Sequence, residues 1–186
     1  MLDSCTNFTQ YVDRAVELGQ KALAFTEHGN IYQWVAKKMY CDKMGIKYLH
    51  GVECYLTEEL LHTDPKTGER EKVRDNYHII LIARNFAGVL ELNKLVSVST
   101  TESHTYYKPR ISFDEFLGIS NNIIKISACL ASPLNKLPIS HKRYRELVKH
   151  YDYLEIQPHD FQEQKEFNLH LAHLAREFGK PLIAGT

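Results

Sequence analysis

Asp3, His28, Glu53 and His78 follow one another at intervals of 25 residues, and Cys129 stands 51 residues beyond His78. Imidazoles and a thiolate suit zinc and related transition metals, and a carboxylate can bridge two such ions and offset their charge. Ions held a few ångströms apart can grip a phosphate monoester or diester and lower the pKa of a bound water for attack on phosphorus. The local sequence places each residue at the edge of an apolar run. His28 lies in KALAFTEHGN, residues 21–30, where a short strand-like stretch stops in Glu27, His28 and Gly29, as at the rim of an α/β site. Glu53 interrupts GVECYL, His78 heads HIILIA and Cys129 comes just after NIIKIS. The chain holds ten histidines in all, so the intervals alone fit scattered core and surface residues as well as a metal site. Convergence depends on the elements that carry them.

The spacing predicts a first helix over 7–18, where Phe8, Tyr11, Val12, Ala15 and Val16 recur at helical period ahead of Gly19. A strand at 22–26 and an amphipathic helix at 31–44, closed by Gly45, come next. Further strands are predicted at 46–56, 77–83, 122–127, 153–157 and 181–185, with helices at 86–99, 140–150 and 161–178. Six strands interleaved with helices read as βα units around a largely parallel sheet, open or closed into a barrel, so the fold class is α/β. An interval of about 25 residues is about one βα unit, which brings residues at that interval to one rim. His78 fits this rule poorly, because it leads its strand instead of following it. Residues 57–76, TEELLHTDPKTGEREKVRDN, form a polar excursion with a hairpin or loop at DPKTG, inside a single domain spanning 1–186.

Bulk composition narrows the function classes. The 186 residues, 44% of them hydrophobic, suit one domain with a sizeable core. Lysine plus arginine and aspartate plus glutamate both total 23, so no excess of positive charge marks an autonomous nucleic-acid binder. Any DNA contact needs a local patch or a further domain. The four cysteines, at 5, 41, 54 and 129, form no CxxC pair and the chain shows no signal peptide, which makes a reducing cytoplasm the expectation. No apolar run approaches the roughly 18 residues of a membrane span, so no membrane partner is expected.

The stretches ALAFTEHGNIYQWV, GIKYLHGVECYL, NYHIILIARN, LNKLVSVSTTESHTYYKPRI, ISACLA and YLEIQPHDFQEQKEFN occur in order over nearly the whole chain. Together they resemble the PHP (polymerase and histidinol phosphatase) domain. YYKPRI and SACLA point to the branch at the N-terminus of bacterial DNA polymerase III alpha subunits. The resemblance implies a (β/α)7-like barrel with up to three divalent metals, zinc, manganese or iron, at one end. It carries the metal-ligand positions onto Asp3, His28, Glu53, His78 and Cys129, with Glu53 bridging and with His28 and Glu53 in catalytic roles. Glu27 departs from the family's usual Asp-His pair. The family's opening His-x-His strand and closing Asp-x-His have no counterpart here, so the chain is expected to be a partial domain that is inactive alone.

The resemblance further implies a role in DNA replication, as a 3′–5′ exonuclease or as a scaffold. The partners it implies are DNA, reached through the rest of the polymerase, the other polymerase domains and replisome subunits. A free-standing metal-dependent phosphatase acting on a small phosphomonoester such as histidinol phosphate is the alternative, and a metal-free structural module is a third reading. Lys108, Arg110 and His159 are candidates for holding substrate phosphate, against solvated loop charges and a backbone-bonded histidine. His170 and His173 are expected to pack, as are Trp34, Tyr106 and Tyr107, although the three aromatic rings are also of a type that stacks on bases.

Overall fold

A capping box at Asn7, in which Gln10 Oε1 accepts the Asn7 N–H at 2.9 Å, starts α1 (Phe8–Glu17). The computed structural model describes residues 6–185. Gly19, with φ +70°, takes the left-handed turn that frees the chain into β1 (Ala22–Phe25). The predicted second helix starts three residues late, as α2 (Trp34–Met44), because Gln33 is itself left-handed at φ 56°. Gly45 closes α2 and leads into the long β2 (Lys47–Thr57). The polar excursion contains a small antiparallel hairpin, β3 (Leu61–Thr63) with β4 (Arg70–Lys72).

Beyond it run β5 (Tyr77–Ala83), α3 (Phe86–Ser99), β6 (Arg110–Ser112) and α4 (Phe113–Leu117). The chain continues through β7 (Ile123–Ile126), α5 (Pro133–Lys136), α6 (Tyr144–His150), β8 (Leu154–Ile156), α7 (Gln162–Phe178) and β9 (Leu182–Ala184). All six expected strands are present. The strand β6 was not expected, since three residues led by arginine carry no readable period.

The sheet order is β1-β2-β5-β7, with β6 also on β2, and a bridge from Ile126 to Tyr153 leads on to the β8-β9 pair. β1, β2 and β6 run parallel, as do β8 and β9, but β5 is antiparallel to both β2 and β7. The sheet is largely parallel, as expected, and β5 is the exception within it: β2 and β5 are joined by the excursion and not by a crossover helix, so β5 returns in the opposite sense. The reversal also settles the awkward place of His78. The start of an antiparallel strand lies at the same rim as the ends of its parallel neighbours.

Side chains alternate across β2. Val52, Cys54 and Leu56 enter the main apolar core, where Ile79 and Leu81 of β5, Phe113 and Phe116 of α4, and Leu171 of α7 meet them. Glu53 and Tyr55 occupy the opposite face, level with Ile80 and His78 of β5. A second, smaller core of Val12, Ala15, Cys41 and Ile46 seats α1 and α2 on β1.

Candidate metal centre

Residues 27–29 are held edge-on to β2: the Glu53 N–H donates to Glu27 O at 3.0 Å and the Gly29 N–H to Glu53 O at 2.8 Å. That clamp sets His28 beside Glu53. His28 Nδ1 lies 2.7 Å and His78 Nδ1 2.9 Å from one and the same carboxylate oxygen, Glu53 Oε1. Cys129 closes the group, with Sγ 3.5 Å from His78 Nδ1. It sits in the loop after β7, where Ala128 takes a left-handed φ of 60° and the loop is tied back to β5 by the His78 N–H donating to Ala131 O.

Four of the five residues selected by interval therefore meet at one rim. Asp3 lies outside the described residues.

The electrostatics follow from this packing. Burial works to raise the Glu53 carboxyl, yet the two imidazoles beside it hold it below the usual range. Burial works against charge on His78, but Cys129 and Glu53 outweigh it and push the ring up to about 9. Two imidazoles, a thiol and a carboxylate are a donor set that fits a borderline-soft divalent ion. Among the described residues no three such side chains are spaced as a preformed cage, and both Nδ1 atoms are directed at Glu53.

The other candidates separate. Lys108 stands at the rim, its ammonium donating to Tyr55 Oη at 2.9 Å and lying 4.6 Å from the centre of that ring. Arg110 is 1% exposed and its guanidinium is enclosed in the protein, where Nη1 donates to Val73 O and, at 3.1 Å, to Asp75 O. It ties the excursion to the barrel and is not presented to a substrate. His159 is exposed in the loop after β8, its ring stacked on Phe161. Glu27 is paired with the buried Lys37 of α2, which gives the departure from Asp a partner of its own. His170 bonds Tyr144 Oη at 2.6 Å, Trp34 rests edge-on against His50, and Tyr106 takes the Arg110 guanidinium on its ring.

Two residues of the site were missed in the sequence. Tyr55 packs edge-on to His78 and stacks on His28, with ring centroids 5.2 and 6.4 Å apart. Glu155 of β8 is buried, bonded by Gln157 Nε2 at 2.8 Å, and its carboxyl is raised by burial and by the Glu53 charge. The signal was present in YLEIQ, where one acid alternates with two core residues just as Glu53 does in GVECYL.

The sequence matches the PHP domain family over residues 1–160. The chain belongs to the PHP domain family. Within it, the chain is 32% identical over 194 residues to the DNA polymerase III subunit alpha of Treponema pallidum, covering 98% of this chain and 16% of that protein. It is 29% identical over 197 residues to the corresponding subunit of Borreliella burgdorferi, covering 100% of this chain and 17% of that protein. The PHP chain thus spans about a sixth of the length of these curated relatives. Its fold is shared with a Bifidobacterium adolescentis protein that carries the name of a metal-dependent phosphoesterase, at TM-score 0.61 and 11% identity, over 98% of this chain and 82% of that one. An amidohydrolase of Chromobacterium violaceum, solved with sulfate and no metal, shares it at TM-score 0.53 and 15% identity, over 99% of this chain and 82% of that one. No helix among the described residues is long and apolar enough to cross a membrane.

Proposed function

We propose that this PHP domain is part of a bacterial replicative DNA polymerase III alpha subunit, works in the cytoplasm, and hydrolyses phosphodiesters with divalent metal held at its rim. The observation that carries the reading is the meeting of His28, His78 and Cys129 around Glu53. These four residues, with Asp3, would hold the metal, with zinc, manganese or iron as the candidates. A divalent ion there supplies Lewis acidity toward a phosphoryl oxygen and a nucleophile at neutral pH.

The protein's own groups do the rest. Glu53 orients both imidazoles, as a carboxylate beside a ligating histidine does. The Lys108 ammonium, held by Tyr55, draws the anionic diester to the rim. DNA, the other polymerase domains and replisome subunits are the partners this reading names.

Metal content by plasma mass spectrometry, measured on the full-length polymerase beside the cleavage of a single-stranded oligonucleotide, tests the reading. Changes to groups that only orient a ligand cost roughly 10–100-fold in metal affinity, so Glu53→Gln should cost at least that and abolish cleavage. Equal metal content and equal rate in both proteins would overturn it. The ion pairing of both imidazole Nδ1 atoms with Glu53 Oε1 supports a second reading, a scaffold without metal. That reading predicts metal-free protein whichever residue stands at 53.

A further inference from the structure

The loop 106–110, YYKPR, touches the candidate metal centre and is pinned at four of its five residues. The Tyr106 ring takes the buried Arg110 guanidinium at 5.3 Å, and its N–H donates to Lys108 O at 3.1 Å. Lys108 is bonded to Tyr55, whose ring lies against both site histidines. Pro109 packs on Gly29, next to His28, so closely that a Cβ on that glycine would stand 2.8 Å from the proline ring.

Tyr107 is turned out, its ring set edge-to-face on Tyr106 with centroids 4.7 Å apart. It is 90% exposed, the highest value for a large apolar side chain among the described residues, and its backbone is left-handed at φ 58°. A bulky residue with positive φ is strained, and it persists only where its surroundings enforce it. Here the pinned neighbours enforce a ring held largely in solvent, one residue before Lys108. On the adjoining loop that carries His28, Tyr32 is 76% exposed. Its N–H is fixed by Asn30 Oδ1 at 3.0 Å. Two exposed aromatic rings on loops that meet at Gly29 and Pro109, one of them next to Lys108 in sequence, are the elements of a surface on which bases stack while a phosphate is held.

We propose that Tyr107, with Tyr32 as a second platform, stacks on bases of a single-stranded nucleic acid whose phosphate lies at Lys108. This rests on the phosphodiesterase reading and names the side chains that would hold the bases of its strand. Tyr107 then sets specificity, because a substrate without a base gains nothing from it.

The test is equilibrium binding to the purified protein in metal-free buffer, where no cleavage occurs. The probes are a short single-stranded oligodeoxynucleotide carrying the fluorescent base 2-aminopurine and a fluorescein-labelled oligonucleotide of the same length built from abasic sugar phosphates. Stacking on aromatic rings is worth enough per base that Tyr107→Ala should weaken the first about tenfold, with Tyr107→Phe close to wild type. The abasic strand should bind weakly and alike to all three proteins. Equal affinity of the base-bearing strand for wild type and Tyr107→Ala, or equal losses on both strands, would overturn the proposal. Cleavage is read separately with added manganese, so a protein that stacks bases without cutting fails the function above and leaves this inference standing.

Discussion

A single oxygen of Glu53 receives two imidazoles, and the charge pattern of the whole rim follows from that. Glu115 shows the same chemistry away from the site. Its carboxylate accepts the Ser112 N–H at 2.7 Å and faces His104 Nε2 at 2.8 Å, closing a capping box on α4. Burial pushes Glu115 up, but these partners leave it below the usual range. A carboxyl lowered on folding contributes stability above its ordinary value near 4.5, and that contribution is lost as pH falls through the folded value. Thermal midpoints of Glu115→Gln should therefore fall less steeply than wild type between about pH 5 and 3. Parallel acid limbs for the two proteins would contradict this. Residue types were legible in the sequence and their surroundings were not: Arg110 announces charge, and only the fold reveals that the charge is enclosed.

Loops 26–33 and 106–110 meet as a unit at Gly29. That glycine has φ +67°, and an added Cβ would stand 2.8 Å from Pro109 and 3.0 Å from Tyr55. Gly29→Ala brings both backbone strain and a clash, so it should cost more than about 1 kcal/mol and lower Tm by roughly 3 °C or more. It should also displace His28 and so reduce metal uptake, which separates it from an ordinary destabilised variant. Unchanged Tm and metal content would sink the argument. At this scale the sequence was informative about where strands lie, because apolar runs bounded by glycine and polar clusters mark them. It was silent on the direction of β5, since a run of HIILIA reads the same up or down. Strand sense depends on the connection, and the connection here was the one segment without a clear period.

Across the whole molecule the sheet has ends. β1 pairs only with β2 and β9 only with β8 among the described residues, and Leu182 and Ile183 of β9 are 42% and 38% exposed. An unpaired apolar edge is a template for another chain. The protein on its own should self-associate with rising concentration in sedimentation, and Ile183→Lys should suppress that association. Monomers at all concentrations would show that the edge is protected. The family was readable in the sequence because its stretches recur in order over nearly the whole chain. The inward acid on β8 and the aromatic beside the histidines needed the assembled wall.

The antiparallel course of β5 has one more consequence. Glu53 and His78 lie on neighbouring strands joined directly by the excursion, so this pair of the site is encoded in one contiguous stretch, while His28 and Cys129 come from either side of it. The separation of Glu53 and His78 in sequence is smaller than that between His28 and Cys129, so joining them closes a smaller loop. The same arrangement leaves the 57–76 excursion hanging from the site's own doorway.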